Sequence, residues 1–127
     1  MAVYSSTGNG AGVNVYVIDT GVNPSHREFE GRATAWFDAL GGSGTDCNGH
    51  GTHCAGTVGS RSYGVATSAS LYGIRVLSCM GFGSNSGILD GKLKKEEDKM
   101  ERTEPACLRL LIVSGLIETM AKYTVTT

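Results

Sequence analysis

The chain carries almost no net charge: 11 lysines and arginines oppose 12 aspartates and glutamates across 127 residues, for a formal value of −1. A nearly neutral chain has no field strong enough to hold a polyelectrolyte, so nucleic acid is not an expected partner. No apolar run reaches the roughly 20 residues that a membrane-crossing helix needs, so no membrane partner is expected either. Met1 is followed by AVYSSTGNG, which has neither a basic start nor an apolar core, and the sequence is expected to carry no secretory signal. Four cysteines, Cys47, Cys54, Cys79 and Cys107, are too few for a disulfide-dense miniature scaffold but enough for one bridge in an exported protein. No internal repeat occurs. These exclusions leave a globular domain rich in glycine, with 19 such residues.

Lysine is also absent from the first 91 residues, which hold 18 of the 19 glycines, whereas the rest holds a single glycine and seven basic residues. KLKKEEDKMERTE, Lys92 to Glu104, carries ten charges in thirteen residues and reads as a solvated helix or a disordered stretch. Pro105 then opens ACLRLLIVSGLIETMA, interrupted by Arg109, which reads as a short amphipathic helix. Two unlike segments are therefore expected, residues 1–91 and a tail of residues 92–127, joined at Gly91/Lys92 by splicing or by an error in the gene model.

Within the first segment, Val13 to Ile18 reads as a strand buried on both faces, as in a parallel sheet covered by helices. ATAWFD, Ala33 to Asp38, and LYGIRVL, Leu71 to Leu77, read as further strands. His50 to Gly59 reads as a helix introduced by the turn CNGHG, and Ser84 to Asp90 as the start of another. Strand, helix, strand with glycine-rich corners predicts an α/β architecture with right-handed crossovers.

The buried run VNVYVIDTGV ends on a carboxylate, Asp19. Asp before Thr-Gly can simply cap a tight turn. Asp-Thr-Gly is also the turn that presents one of the two carboxylates of an aspartic protease, although an α/β pattern and Val22 fit that all-β family poorly. In DCNGHGTHCAGTVG, Asp46 to Gly59, the residues Cys47, His50, His53 and Cys54 are soft ligands close enough in sequence to suggest zinc, yet structural zinc sites usually draw on two separate elements.

Together, VYVIDTGVNPSH and GHGTHCAGTVGS resemble the Asp and His signature blocks of subtilisin-like serine proteases, peptidase family S8, nearest the proteinase K branch. The likeness continues through HREFEGR, SYGVA and LYGIRVLSCMGFGSNSGILDG and covers roughly Val13 to Gly91. It implies a parallel-sheet subtilisin-like fold, here truncated, with Asp19 as triad acid and His50 as triad base. Such an Asp would hold the imidazole Nδ1 proton and leave Nε2 to accept the proton of a serine. Gly49 and Gly51 would let the backbone crowd the site without a Cβ. The resemblance further implies that Gly81 and Gly83 of GFG edge an extended peptide substrate with Leu77 lining a side-chain pocket, a role that competes with that of a flexible loop. It also implies a disulfide between Cys47 and Cys79, an extracellular setting, a monomer and a peptide or protein substrate. His53 reads as a hydrogen-bonded core histidine, His26 as surface, and Cys54 as a buried thiol beside the base. The family allows calcium, but no complete ligand set can be matched, and no cofactor or metal residue is assigned.

The nucleophile of this family lies in a Gly-Thr-Ser-Met-Ala block, and no Gly-Thr-Ser occurs in the sequence. No residue matches the context of the asparagine that donates to the oxyanion. The sequence therefore reads as the amino-terminal part of a serine endopeptidase domain, inactive as written, or alternatively as a truncated product that binds peptides or a protease without cleaving.

Overall fold

The computed structural model describes residues 8–101 and 109–113. Among them four strands, β1 (Asn14–Asp19), β2 (Ala33–Asp38), β3 (Ser70–Arg75) and β4 (Arg109–Val113), form one parallel sheet in the order β2-β3-β1-β4. Two helices, α1 (His50–Gly59) and α2 (Asn85–Glu101), cover it, and a short 3-10 turn spans Arg27–Phe29. The expected α/β class is the observed one.

The apolar run of β1 suits a strand covered on both sides. Val15 and Val17 pack with Ala55 of α1, Phe29, Val22 and Leu71 on one face. Tyr16 and Ile18 pack with Ile74, Val76 and, from α2, Ile88 on the other. On that second face Tyr16 stacks on Tyr72 at 5.2 Å between ring centroids, and Trp36 meets both edge-on, at 5.9 and 6.3 Å. Trp36 occupies a register shift between Ala35 and Phe37 of β2. Burying aliphatic and aromatic side chains on both faces contributes roughly 1.5–3 kcal/mol for each, before the entropy of ordering them.

The foreseen Gly91/Lys92 junction lies within α2, which runs from Asn85 to Glu101. Gly91 is where that helix meets the sheet, because a Cβ there would lie 2.8 Å from Val76 Cγ1 and 2.9 Å from Ile74 Cγ2. The helix foreseen for ACLRLLIVSGLIETMA is corrected at Arg109–Val113, which pair with β1 from Asn14↔Arg109 to Ile18↔Val113. A short apolar run looks the same as buried strand or buried helix, and the open edge of β1 offers backbone groups whose pairing decides the matter. The remainder of that stretch, with Cys107, lies outside the described residues. β3 also stops at Arg75 rather than Leu77, since the amides of Val76 and Leu77 both donate to the Asp19 carbonyl, at 2.9 and 3.2 Å.

Candidate active site

Three charged residues stand side by side at the carboxyl ends of the strands: Asp38 of β2 opposite Arg75 of β3, and Arg75 opposite Asp19 of β1. This rim is where open parallel sheets gather their functional groups. Asp19 is 0% exposed, and the Thr20 amide donates to its Oδ1 at 2.7 Å. His50, the first residue of α1, brings Nδ1 to 3.0 Å from both carboxylate oxygens of Asp19. Its side chain is 53% exposed, so a buried carboxylate faces a ring that reaches solvent.

What aims His50 is a residue that the sequence reading passed over. Asp46 Oδ1 accepts from the Thr20 hydroxyl at 2.8 Å and from the amides of Asn48 and Gly49, each at 2.9 Å. Its Oδ2 accepts from the Thr52 amide at 2.9 Å and the Thr52 hydroxyl at 2.6 Å. Asp46 thus takes the Thr52 amide of the first turn of α1 and the two amides just ahead of the helix, while the His50 amide donates to Asn48 Oδ1 and the Gly51 amide to Thr20 Oγ1. Asp46 also ties that start to the turn carrying Asp19. Burial pushes its carboxyl upward, but the donated hydrogen bonds of Gly49, Thr52 and Asn48 outweigh this and hold it at about 2. Asp before a Cys-Asn-Gly turn is a local capping signal, but the Thr20 link joins residues 26 positions apart and has no signature in sequence.

The two glycines beside His50 act differently from each other. Gly51 does allow a close approach, since a Cβ there would strike the carbonyl oxygen of Gly21. Gly49 has nothing among the described residues within 4 Å of such a Cβ, and it is needed for its left-handed backbone, φ +106°, as the residue before α1.

Cys54 Sγ lies 3.7 Å from His50 Nδ1 and is half-buried rather than buried. Burial, and then the negative charges of Asp19 and Asp46, raise its thiol above the ordinary value, so it stays protonated and is a poor nucleophile. Asp19, His50 and Cys54 bring one ligand atom each within 4.8 Å of one another and are the residues that could hold a metal ion in this site. The wider zinc set fails because Cys47 is bonded to Cys79. His53 is exposed, contrary to its expected core position: α1 buries Gly51, Ala55 and Gly59, and a residue two along from Gly51 points to the opposite side. It lines a groove of about 760 Å³ with Tyr63 and His26, and His26 is exposed as expected.

Cys47, three residues ahead of His50, is bridged to Cys79, and the Asn48 amide nitrogen Nδ2 adds a 2.9 Å hydrogen bond to the Cys79 carbonyl. Beyond Cys79 the chain turns tightly: the Ser78 amide donates to the Phe82 carbonyl, and the Gly81 amide returns to the Ser78 carbonyl. Gly81, at φ +85°, and Gly83 are both exposed on this turn, and Phe82 between them is 76% exposed. Gly83 cannot carry a side chain without displacing Leu77, whose Cδ2 would lie at 2.8 Å, and the Val76 carbonyl. Leu77 is partly buried against Tyr16, Ile18, Ile74 and Val76 and thus serves the core as well as the rim.

Known proteins carry the same arrangement of segments. Residues 10–100 match the model of peptidase S8, the subtilase family. The chain is similar to an extracellular serine proteinase of Thermus sp. strain Rt41A, with 54% identity over 90 residues, 69% of this chain and 22% of that protein. It is 53% identical to a cuticle-degrading protease of Metarhizium anisopliae over 96 residues, 76% of this chain and 25% of that one. The crystal structure of a cold-adapted subtilisin-like serine proteinase superposes with a TM-score of 0.67 at 49% identity, covering 70% of this chain and 33% of the other. The chain thus spans between a fifth and a third of the lengths of these relatives. A buried strand-end carboxylate facing a helix-start histidine, on a fold shared with these proteases and within a family match that covers most of the sequence, shows that the chain belongs to the subtilase family.

Proposed function

We propose that Asp19 and His50 are the acid and base of a serine-endopeptidase triad, and that the parent activity is peptide-bond hydrolysis through an acyl-enzyme. The observation that carries this is the contact of His50 Nδ1 with both oxygens of a fully buried carboxylate, at 3.0 Å. Asp19 keeps the imidazole proton on Nδ1 and stabilises the imidazolium, so that Nε2, on the far side of the ring, can take a proton from a serine and return it to the leaving amine. An extended peptide would lie along the 81–83 turn. The Gly81 amide and both backbone groups of Phe82 are used within the turn, so recognition falls to the Gly81 carbonyl and the Gly83 backbone. Leu77 would border the neighbouring side-chain pocket.

The nucleophile has no counterpart in the sequence as written, which contains no Gly-Thr-Ser, and the oxyanion asparagine is equally unmatched. Asp19 and His50 alone move a proton but attack nothing. We assign the catalytic-domain portion to residues 1–91 and read residues 92–127 as foreign to it, on the change in glycine and charge at that point. An extracellular setting is supported by the Thermus relative, named as extracellular, and by the Cys47–Cys79 bridge. A second reading, a peptide-binding product without turnover, is favoured by the exposed Gly81–Gly83 turn, which the bridge holds without any help from a nucleophile.

The test is peptide hydrolysis and fluorophosphonate labelling of the 127-residue chain and its His50→Ala variant. Neither should turn over or label, since the residual rate that triad-deficient subtilisins keep, roughly 10³–10⁴ above water, comes from an oxyanion hole and substrate binding. Turnover that disappears in His50→Ala would mean that a serine of this chain is the nucleophile. Saturable peptide binding without turnover would select the second reading.

A further inference from the structure

Arg75 is held in a peculiar way for a cation. Its side chain is only 15% exposed, and Nη1 donates to Asp38 Oδ2 at 2.9 Å. Nη2 points at the disulfide, 3.6 Å from Cys47 Sγ and 3.8 Å from Cys79 Sγ. Nε is buried with no hydrogen-bond partner among the described residues. Disulfide sulfur is a weak acceptor, so two of the three nitrogens of a permanently charged group are poorly satisfied while the bridge is closed. The same geometry would suit a sulfur that carries a negative charge. Both Cys47 and Cys79 are exposed and can be reached by a reagent from solution.

We propose that the Cys47–Cys79 bridge is a thiol-exchange site primed by Arg75, which acts as a positioning residue for the released thiolate. The thiolate of an external dithiol attacks Cys79 Sγ, the bond to Cys47 breaks, and its electron pair leaves on Cys47 Sγ beside Arg75 Nη2. The second thiol of the dithiol then attacks the mixed disulfide and expels the Cys79 thiolate. The dithiol ends as a cyclic disulfide, and its two protons pass to solvent or to the two cysteines. A guanidinium beside the leaving sulfur lowers the pKa of that thiol and speeds its departure. Opening the bridge leaves the Asn48–Cys79 hydrogen bond to tie the His50-bearing turn to the 78–83 loop, so the redox state of the bridge sets how firmly that loop is held.

The experiment follows reduction of the full chain by dithiothreitol, with acid quench, alkylation and mass spectrometry, in native buffer and in concentrated urea. Native wild type should be reduced about tenfold faster than Arg75→Met, and Asp38→Asn, which removes the competing carboxylate, should be faster than wild type. In urea the three rates should coincide. A second measurement needs no variant: the ratio of reduction rates by anionic mercaptoacetate and cationic cysteamine should be several-fold higher for native wild type than in urea. An equal ratio in the two solvents overturns the proposal, as does a folded Arg75→Met reduced as fast as wild type. If Arg75→Met fails to fold, its native rate will match its own rate in urea, and the thiol-charge ratio of the wild type decides.

Discussion

Gly51 of α1 rests directly on the backbone of Gly21: a Cβ at Gly51 would run into the Gly21 carbonyl oxygen and come within 3.1 Å of Thr20 Oγ1. The helix that carries His50 and the turn that carries Asp19 are in backbone contact, and the Asp19–His50 pair is only as well aligned as that contact. Since carbonyl and helix backbone cannot give way as a flexible side chain does, Gly51→Ala should destabilise the fold by about 2 kcal/mol or more. Gly56, in the same helix, has nothing among the described residues within 4 Å of an added Cβ, so Gly56→Ala should stabilise by about 0.4–1 kcal/mol. Urea midpoints of the two variants against wild type give both signs, and equal shifts would contradict the packing described.

Asp46 links stability to acid. Its carboxyl is held at about 2 in the folded chain against an ordinary value of 3.8, and a group with a lowered folded pKa contributes stability that is complete above its unfolded value and disappears as pH falls through the folded one. Stability should therefore fall between about pH 4 and pH 2, by about 1 kcal/mol once solvent screening of a partly exposed group is allowed for. Asp38, kept low by its hydrogen bonds with Arg75, Leu40 and Gly44 against the opposing effect of burial, loses its contribution in the same direction. Urea unfolding from pH 6 to pH 2 should show a shallower slope for Asp46→Asn, and an unchanged slope would remove Asp46 from its capping role.

Much of the scaffold was legible because local signals agreed with the fold. ATAWFD is β2 over the residues expected, and HGTHCAGTVG is α1 from His50 to Gly59. VNVYVID reads as a strand because both faces are apolar, and Asp19 reads as an interruption because a charge ends it. Where the reading failed, the deciding partner was distant in sequence. β4 depends on the open edge of β1, and the position of His53 depends on which face α1 turns to the sheet. Asp46 gathers donors from both sides of the site, and only its contacts with Asn48 and Gly49 follow from the local turn. The side-by-side placement of Asp38, Arg75 and Asp19 is a property of strand order, which no single motif carries.

Cys54 should be a sluggish thiol. Burial and the carboxylates of Asp19 and Asp46 raise its pKa, so iodoacetamide at neutral pH should modify it several-fold more slowly than the same cysteine in urea. Asp19→Asn should speed the native reaction by removing one of the two charges. A native rate equal to that in urea would show that the thiol does not feel the site.

Asp19 should fix the tautomer of His50. Neutral histidine in water prefers its proton on Nε2, whereas a carboxylate 3.0 Å from Nδ1 holds the proton on Nδ1. The most direct measurement is the ¹⁵N spectrum of the His50 ring at about pH 9, well above the ordinary histidine value, with His26 and His53 replaced by Gln so that one imidazole remains. Nδ1 should be protonated and Nε2 unprotonated, with the populations reversing in Asp19→Asn. A spectrum dominated by protonated Nε2 in the unaltered Asp19 chain, unchanged by Asp19→Asn, would contradict it.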